Sequence, residues 1–294
     1  MKREITAIDI HTHCFLFEPV CNDEQLNFAQ KVTGLYHNGQ TSLDLVFRKQ
    51  AAGGIGKSVI SAIDLTSQYG RGLSTNEECA SFSREYPDHF IGFASVDPHD
   101  EVAAAKLERA FEDYNLKGLY LFPSLQEFYP DEKAVQPLYE LCEKYDKPVY
   151  LDCGCSSYPG LLTKYGHPMA VEPVAIRFPK LRICIARFGW PWIREVCMIM
   201  LKNHNVYTDT SIVYFDDPPR MYHQMMEIDI GPTWVDRSLR HQVMFGSGDP
   251  GLEQVRQVNA LRNMPFRDST LELVLYRNAL EFLGVEKDMR WLND

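Results

Sequence analysis

The chain has 294 residues, 45% hydrophobic and 24% charged, which excludes a disordered chain, a collagen-like repeat and a membrane channel. Its 40 acidic against 30 basic side chains leave a formal net charge of −10, a surface that repels phosphate backbones and argues against a nucleic-acid partner. Eight cysteines (Cys14, Cys21, Cys79, Cys142, Cys153, Cys155, Cys184 and Cys197) are scattered, nearly all in apolar segments, as free thiols in a reducing compartment would be.

In chain order, Met1-Lys2-Arg3-Glu4 leads into an apolar run too short for a signal peptide. No later stretch approaches the ~18 apolar residues of a membrane span, so a cytoplasmic protein without membrane contact is expected. The first strand is predicted over Ile5–Ile10 and runs on into Asp9-Ile10-His11-Thr12-His13. Period-two alternation places Asp9, His11 and His13 on one face. Two imidazoles at that spacing can hold one metal ion, with a deeper carboxylate in support. Gly53-Gly54-Ile55-Gly56-Lys57-Ser58 ends like a phosphate-binding loop, but Ala51 stands where its first glycine belongs, and a strand, Ser58–Ile63, follows the lysine.

Further strands are predicted at Phe90–Val96, Gly118–Phe122, Val149–Cys153, Arg182–Ala186, Val206–Asp209 and Gln242–Phe245, several apolar on both faces as buried parallel strands are. Helical spacing lies between them, as at Leu107, Ala110, Phe111 and Tyr114, and at Leu275, Ala279 and Phe282 near the end. Thr75-x-x-Glu78 and Ser269-x-x-Glu272 read as capping boxes. Eight strands alternating with helices, without linker or repeat, predict a single (β/α)8 TIM barrel over residues 1–294. Cys14–Leu43 and Val213–Arg237, the least regular stretches, are then loops or short helices over the C-terminal mouth.

Asp9-Ile10-His11-Thr12-His13, Thr75-Asn76-Glu77, the run from Tyr86 to Pro98, Arg177-Phe178-Pro179-Lys180-Leu181, Phe188-Gly189-Trp190-Pro191-Trp192, Asn205–Ser211 and Arg277–Gly284 occur in an order that resembles the amidohydrolase superfamily. The resemblance is to its second large branch, the aminocarboxymuconate-semialdehyde decarboxylase-like TIM-barrel hydrolases and decarboxylases. It covers nearly the whole chain and implies metal-dependent hydrolysis or non-oxidative decarboxylation of a small carboxylated substrate. It also implies a divalent ion such as zinc.

The chain departs from that family's pattern where the ligands belong. Asp152 stands at the strand-five position of a third metal-binding histidine, and Arg187 replaces the histidine that ends strand six. After Phe245-Gly246-Ser247 comes Gly248, with Asp249 one residue later than the expected aspartate. Strands five and six are neighbours, so Asp152 and Arg187 should face each other, and buried opposite charges within reach pair. A guanidinium about 5 Å from a divalent ion repels it by roughly 6–7 kcal/mol at an effective dielectric near 20.

Three readings stay open. In the first, His11, His13, Asp152 and Asp249 hold the metal, Asp249 doubles as general base, and Arg187 binds substrate oxygens. In the second, a metal-free enzyme uses Arg187 on an acidic substrate. In the third, the barrel has lost catalysis and serves as a binding subunit, as a homodimer or beside a homologous chain. Tyr120 and Phe122 at the end of strand four, and His167 before the next helix, are expected to line the substrate pocket. Cys153 could approach a metal beside Asp152, and Arg220, Tyr222 and His223 lie in a loop that could cover the mouth.

Overall fold

A computed structural model describes residues 6–211 and 217–285. Eight parallel strands follow one another: β1 (Ala7–Thr12), β2 (Ile55–Ser61), β3 (Phe90–Phe93), β4 (Leu119–Leu121), β5 (Val149–Leu151), β6 (Ile183–Ile185), β7 (Val206–Asp209) and β8 (Val243–Met244). They pair in sequence order as β1-β2-β3 and β4-β5-β6-β7-β8. Backbone bonds close both seams. At β3–β4, the Ala94 N–H donates to Gly118 O (2.8 Å) and the Tyr120 N–H to Ala94 O (2.7 Å). At β8–β1, the Ile10 N–H donates to Phe245 O (3.0 Å), Gly248 to His11 O (2.8 Å) and His13 to Asp249 O (2.9 Å). The result is the expected (β/α)8 barrel. Of the predicted segments, Ile5 and residues 213–216 lie outside the described residues.

Helices separate the strands, among them Asp23–Thr33, Leu43–Gly53, Asn76–Glu85, Ala103–Glu112, Gln136–Lys144, Ile193–Lys202 and Gln254–Arg262. Leu107, Ala110 and Phe111 are the buried face of Ala103–Glu112, while Tyr114 lies just past its end. The Thr75–Glu78 capping box is formed in both directions. The one expected at Ser269–Glu272 is not: that helix begins at Asp268, so Ser269 is already inside it and has no free N-terminal N–H groups to cap. Gly53–Ser58 runs from the left-handed C-cap at Gly54 into β2, so it is a helix stop and a strand, with no phosphate loop. All eight cysteines are free thiols, buried except for half-buried Cys155. No helix among the described residues is long and apolar enough to cross a membrane.

Two packed layers make the core. Leu119, Leu121, Val149, Leu151, Ile183 and Ile185 pack outward against the helices, while Ile10, Val59, Phe93, Tyr120, Tyr150 and Met244 belong to a second buried cluster. Gly118 sits where a Cβ would lie 2.4 Å from the ring of fully buried Phe93. Gly118→Ala is expected to cost about 1–3 kcal/mol through overpacking, read as a lower urea midpoint at unchanged slope. An unchanged midpoint would mean that the Phe93 ring moves aside freely.

Candidate active site

The strand ends bring their side chains together at the mouth. His11 and His13 leave β1 with ring centroids 5.2 Å apart. Asp9 does not join them. The β1–β2 register shifts between Asp9 and Thr12, and this bulge breaks the period-two reading. The Asp9 carboxylate turns to the outer layer, where it accepts from Gln254 Nε2 (2.7 Å) and the Ser247 N–H (2.9 Å). Burial pushes its pKa up to about 6.

His11 is held from two sides. Tyr150 gives its hydroxyl proton to Asp209, and Ser211 Oγ donates to the same carboxylate (2.7 Å). Both hydroxyl hydrogens are then spent, so His11 Nδ1 is the donor toward Tyr150 (2.8 Å) and Ser211 (3.2 Å). Its Nε2 lies 3.5 Å from Asp152 Oδ2. His13 points its Nδ1 at the Ser61 carbonyl (3.4 Å). Burial first, and the neighbouring His11 second, hold His13 down to about 3, a neutral imidazole.

Asp152 and Arg187 meet as the neighbouring strands require. The guanidinium spans both carboxylate oxygens, Nη1 to Oδ1 and Nη2 to Oδ2 (3.0 Å). Tyr120, from β4, donates to Oδ2 at 2.7 Å. Burial alone would raise the Asp152 pKa, but the charge and hydrogen bonds of Arg187 outweigh it and hold it low. Burial likewise opposes the charge on Arg187, and Asp152 more than restores it. Arg187 reaches this place through an unusual turn. Arg187 and Phe188 both sit in the left-handed region, at φ 54° and 51°. The Arg187 N–H is tied to Asp209 Oδ1 and the Phe188 N–H to Thr208 Oγ1, both at 2.9 Å. Asp209, buried yet bonded to His11, Tyr150 and this N–H, is held down to about 2.

Above these groups opens a small cleft that faces solvent. Its wall includes His11, His13, Arg187, Cys155, Tyr158 and Gly248. The chain turns there through Gly248 at φ 77°, a conformation that favours glycine.

The expected site residues divide. His11, His13 and Arg187 face the cleft, and Asp152 lies against them. The Asp249 carboxylate instead lies 3.4 Å from Lys49 Nζ, an ammonium with 29% of its side chain exposed. Tyr120 and Phe122 are buried behind the wall, Tyr120 on Asp152 and Phe122 against the Tyr158 ring at 5.6 Å. His167 is no mouth residue: its Nδ1 accepts from the Met169 N–H, capping a tight turn, and its ring lies on Trp192 at 4.4 Å. Cys153 is fully buried, with its thiol pushed up by burial. Arg220 and His223 pair with the surface carboxylates of Asp217 and Glu227, and Tyr222 is buried. Tyr150, Asp209 and Ser211 were not among the expected site residues. Tyr150 lies on β5 two residues before Asp152, which follows the strand's end, and Asp209 ends β7, so strand periodicity was the available signal.

A divalent ion does not fit this donor set. Among the described residues no three His, Cys, Asp or Glu side chains gather into a group that could hold a metal. Of the four expected ligands, Asp152 is taken by a guanidinium and a phenol, and Asp249 by Lys49.

Comparison with known proteins places this fold. The family model described as Amidohydrolase matches residues 8–285. The 2-amino-3-carboxymuconate-6-semialdehyde decarboxylase of Dictyostelium discoideum is 24% identical over 246 residues, covering 72% of this chain and 66% of that protein's length, just under two thirds. An uncharacterised TIM-barrel protein from Bordetella bronchiseptica superposes with a TM-score of 0.75 at 20% identity, over 96% of this chain and 99% of its own. A 5-carboxyvanillate decarboxylase from Novosphingobium aromaticivorans, complexed with manganese and 4-hydroxy-3-methoxy-5-nitrobenzoic acid, superposes at 0.67 with 17% identity, over 95% and 96%.

Proposed function

The chain belongs to the amidohydrolase family, and from that premise we propose that its mouth binds a small carboxylated, ring-bearing substrate and decarboxylates it without an oxidant. The observation that carries this reading is Arg187. Its guanidinium has five N–H donors, and the contacts to Asp152 use two of them. The side chain lines the cleft and is 13% exposed, so donors suited to a planar carboxylate stand at a mouth whose other walls are polar, aromatic and, at Leu35 and Leu252, aliphatic. Two proteins similar to this one are named as decarboxylases of carboxylated rings or ring-derived acids, which supports the reaction class.

In this reading the substrate carboxylate docks on the free edge of Arg187. The ring carbon that bears the carboxylate takes a proton, the carbon–carboxylate bond then breaks, and its electron pair returns to the ring as CO₂ leaves. Tyr158, which lines the cleft with its phenol kept protonated by burial, is the protein group proposed to deliver the proton, with water restoring it afterwards.

The test uses a panel of hydroxylated benzoates, 5-carboxyvanillate among them, each beside its decarboxylated phenol. The acids are expected to raise the melting temperature and one or more to release CO₂, while the phenols do neither. Arg187→Lys, which keeps the charge but loses the planar fork, is expected to weaken acid binding on the order of tenfold. Equal binding of acids and phenols would overturn the carboxylate reading.

A further inference from the structure

We infer that the Arg187 guanidinium is the resident cation of this mouth, and that the native chain takes up no divalent ion between His11, His13 and Asp152. This concerns the ion alone and holds whether or not the decarboxylation reading does.

Three features of the chain carry it. First, the carboxylate that would ligate a metal is already saturated. Asp152 Oδ1 accepts from Arg187, and Oδ2 accepts from Arg187 and from Tyr120 and lies 3.5 Å from His11 Nε2. A metal ion would have to strip two charge-assisted bonds from a group that is 1% exposed, and the guanidinium it displaced would stay within repulsive range. Second, a guanidinium has donors and no lone pair, so Arg187 cannot serve as a ligand in exchange.

Third, the guanidinium is held in place by the backbone. Two successive non-glycine residues, Arg187 and Phe188, adopt left-handed angles, a conformation that persists only when its surroundings over-determine it. Here the surroundings are Asp209 and Thr208 of β7, each taking one of the two N–H groups of the turn. The same Asp209 carboxylate receives Tyr150 and Ser211, the two groups that accept from His11 Nδ1. One anion thus fixes both the turn that delivers the cation and the orientation of the His11 ring beside it.

The experiment measures metal content and thermal shift together. The native chain, purified without chelator and dialysed against micromolar Mn²⁺ or Zn²⁺, is expected to retain a substoichiometric amount and to show no change in melting temperature. Arg187→Gln removes the cation and frees Asp152, so it is expected to gain about one equivalent, with a raised melting temperature in metal, through a two-histidine, one-carboxylate set. Adding His11→Ala to it abolishes the gain. If Arg187→Gln fails to fold, Arg187→His with Asp152→His, which supplies two more imidazoles, takes its place with the same expectation. About one equivalent in the native chain, lost on His11→Ala, would overturn the inference. So would well-folded Arg187 variants that bind no more metal than the native chain does.

Discussion

Arg187→Ala is expected to destabilise the protein by roughly 3–5 kcal/mol, a large part of the ~5–15 kcal/mol that holds a typical domain folded. The loss comes from what the substitution leaves behind. Asp152 is 1% exposed and its carboxylate is kept ionised by the guanidinium, so without Arg187 a buried anion has only Tyr120 and His11 for company. At this chain length the melting temperature should fall on the order of 10 °C. Two companion variants separate the causes. Arg187→Gly removes the same pair but relieves the left-handed backbone at φ 54°, so it should be about 1 kcal/mol less damaging than Arg187→Ala. Asp152→Leu with Arg187→Met removes both charges at similar volume and should recover most of the loss, because a buried ion pair contributes little net stability over well-packed apolar groups. A double-mutant cycle on urea midpoints reads the coupling directly. Additive losses at the two positions would mean that the pair does not hold each charge in place.

The barrel was legible because buried parallel strands are written as short apolar runs at steady spacing, and all eight lie where those runs are. The Asp152–Arg187 pair was legible for a related reason: β5 and β6 are consecutive, consecutive strands of such a barrel are neighbours, and buried opposite charges on neighbours pair. What could not be read was set by contacts between distant segments. Nothing local to Asp249 announces Lys49, 200 residues earlier on the helix Leu43–Gly53, yet that ammonium is the partner its carboxylate meets. Asp9 was assigned to the wrong face because strand periodicity assumes an unbroken register, and the bulge before Thr12 breaks it. His167 follows the same logic at short range. The proline after it starts a tight turn, and the imidazole is used as that turn's cap.

His13 is expected to make the protein acid-sensitive by an amount that one substitution can isolate. An unfolded chain protonates this imidazole near 6.5, whereas the folded chain does so only at about 3, because burial and the neighbouring His11 disfavour the cation. Between those values the unfolded state binds a proton that the folded state refuses, so stability falls as pH drops through the window, by about 1.4 kcal/mol per unit. Asp9 works against it. Its folded value of about 6 lies above 3.8, so its contribution is present below 3.8 and lost as pH rises through 6. From pH 6 to 4 the two slopes nearly cancel, and below 4 the low values of Asp209 and His13 act together, giving a shelf followed by a steep fall. His13→Asn keeps an N–H for the Ser61 carbonyl and carries no titrating group. Its stability should therefore rise between pH 6 and 4, with Asp9 unopposed. From pH 7 to pH 4 the native chain should lose about 3 kcal/mol relative to this variant, measured by urea unfolding at both values. Parallel stability curves for the two proteins would place a protonated, solvated His13 in the folded state and remove it from the buried wall of the cleft.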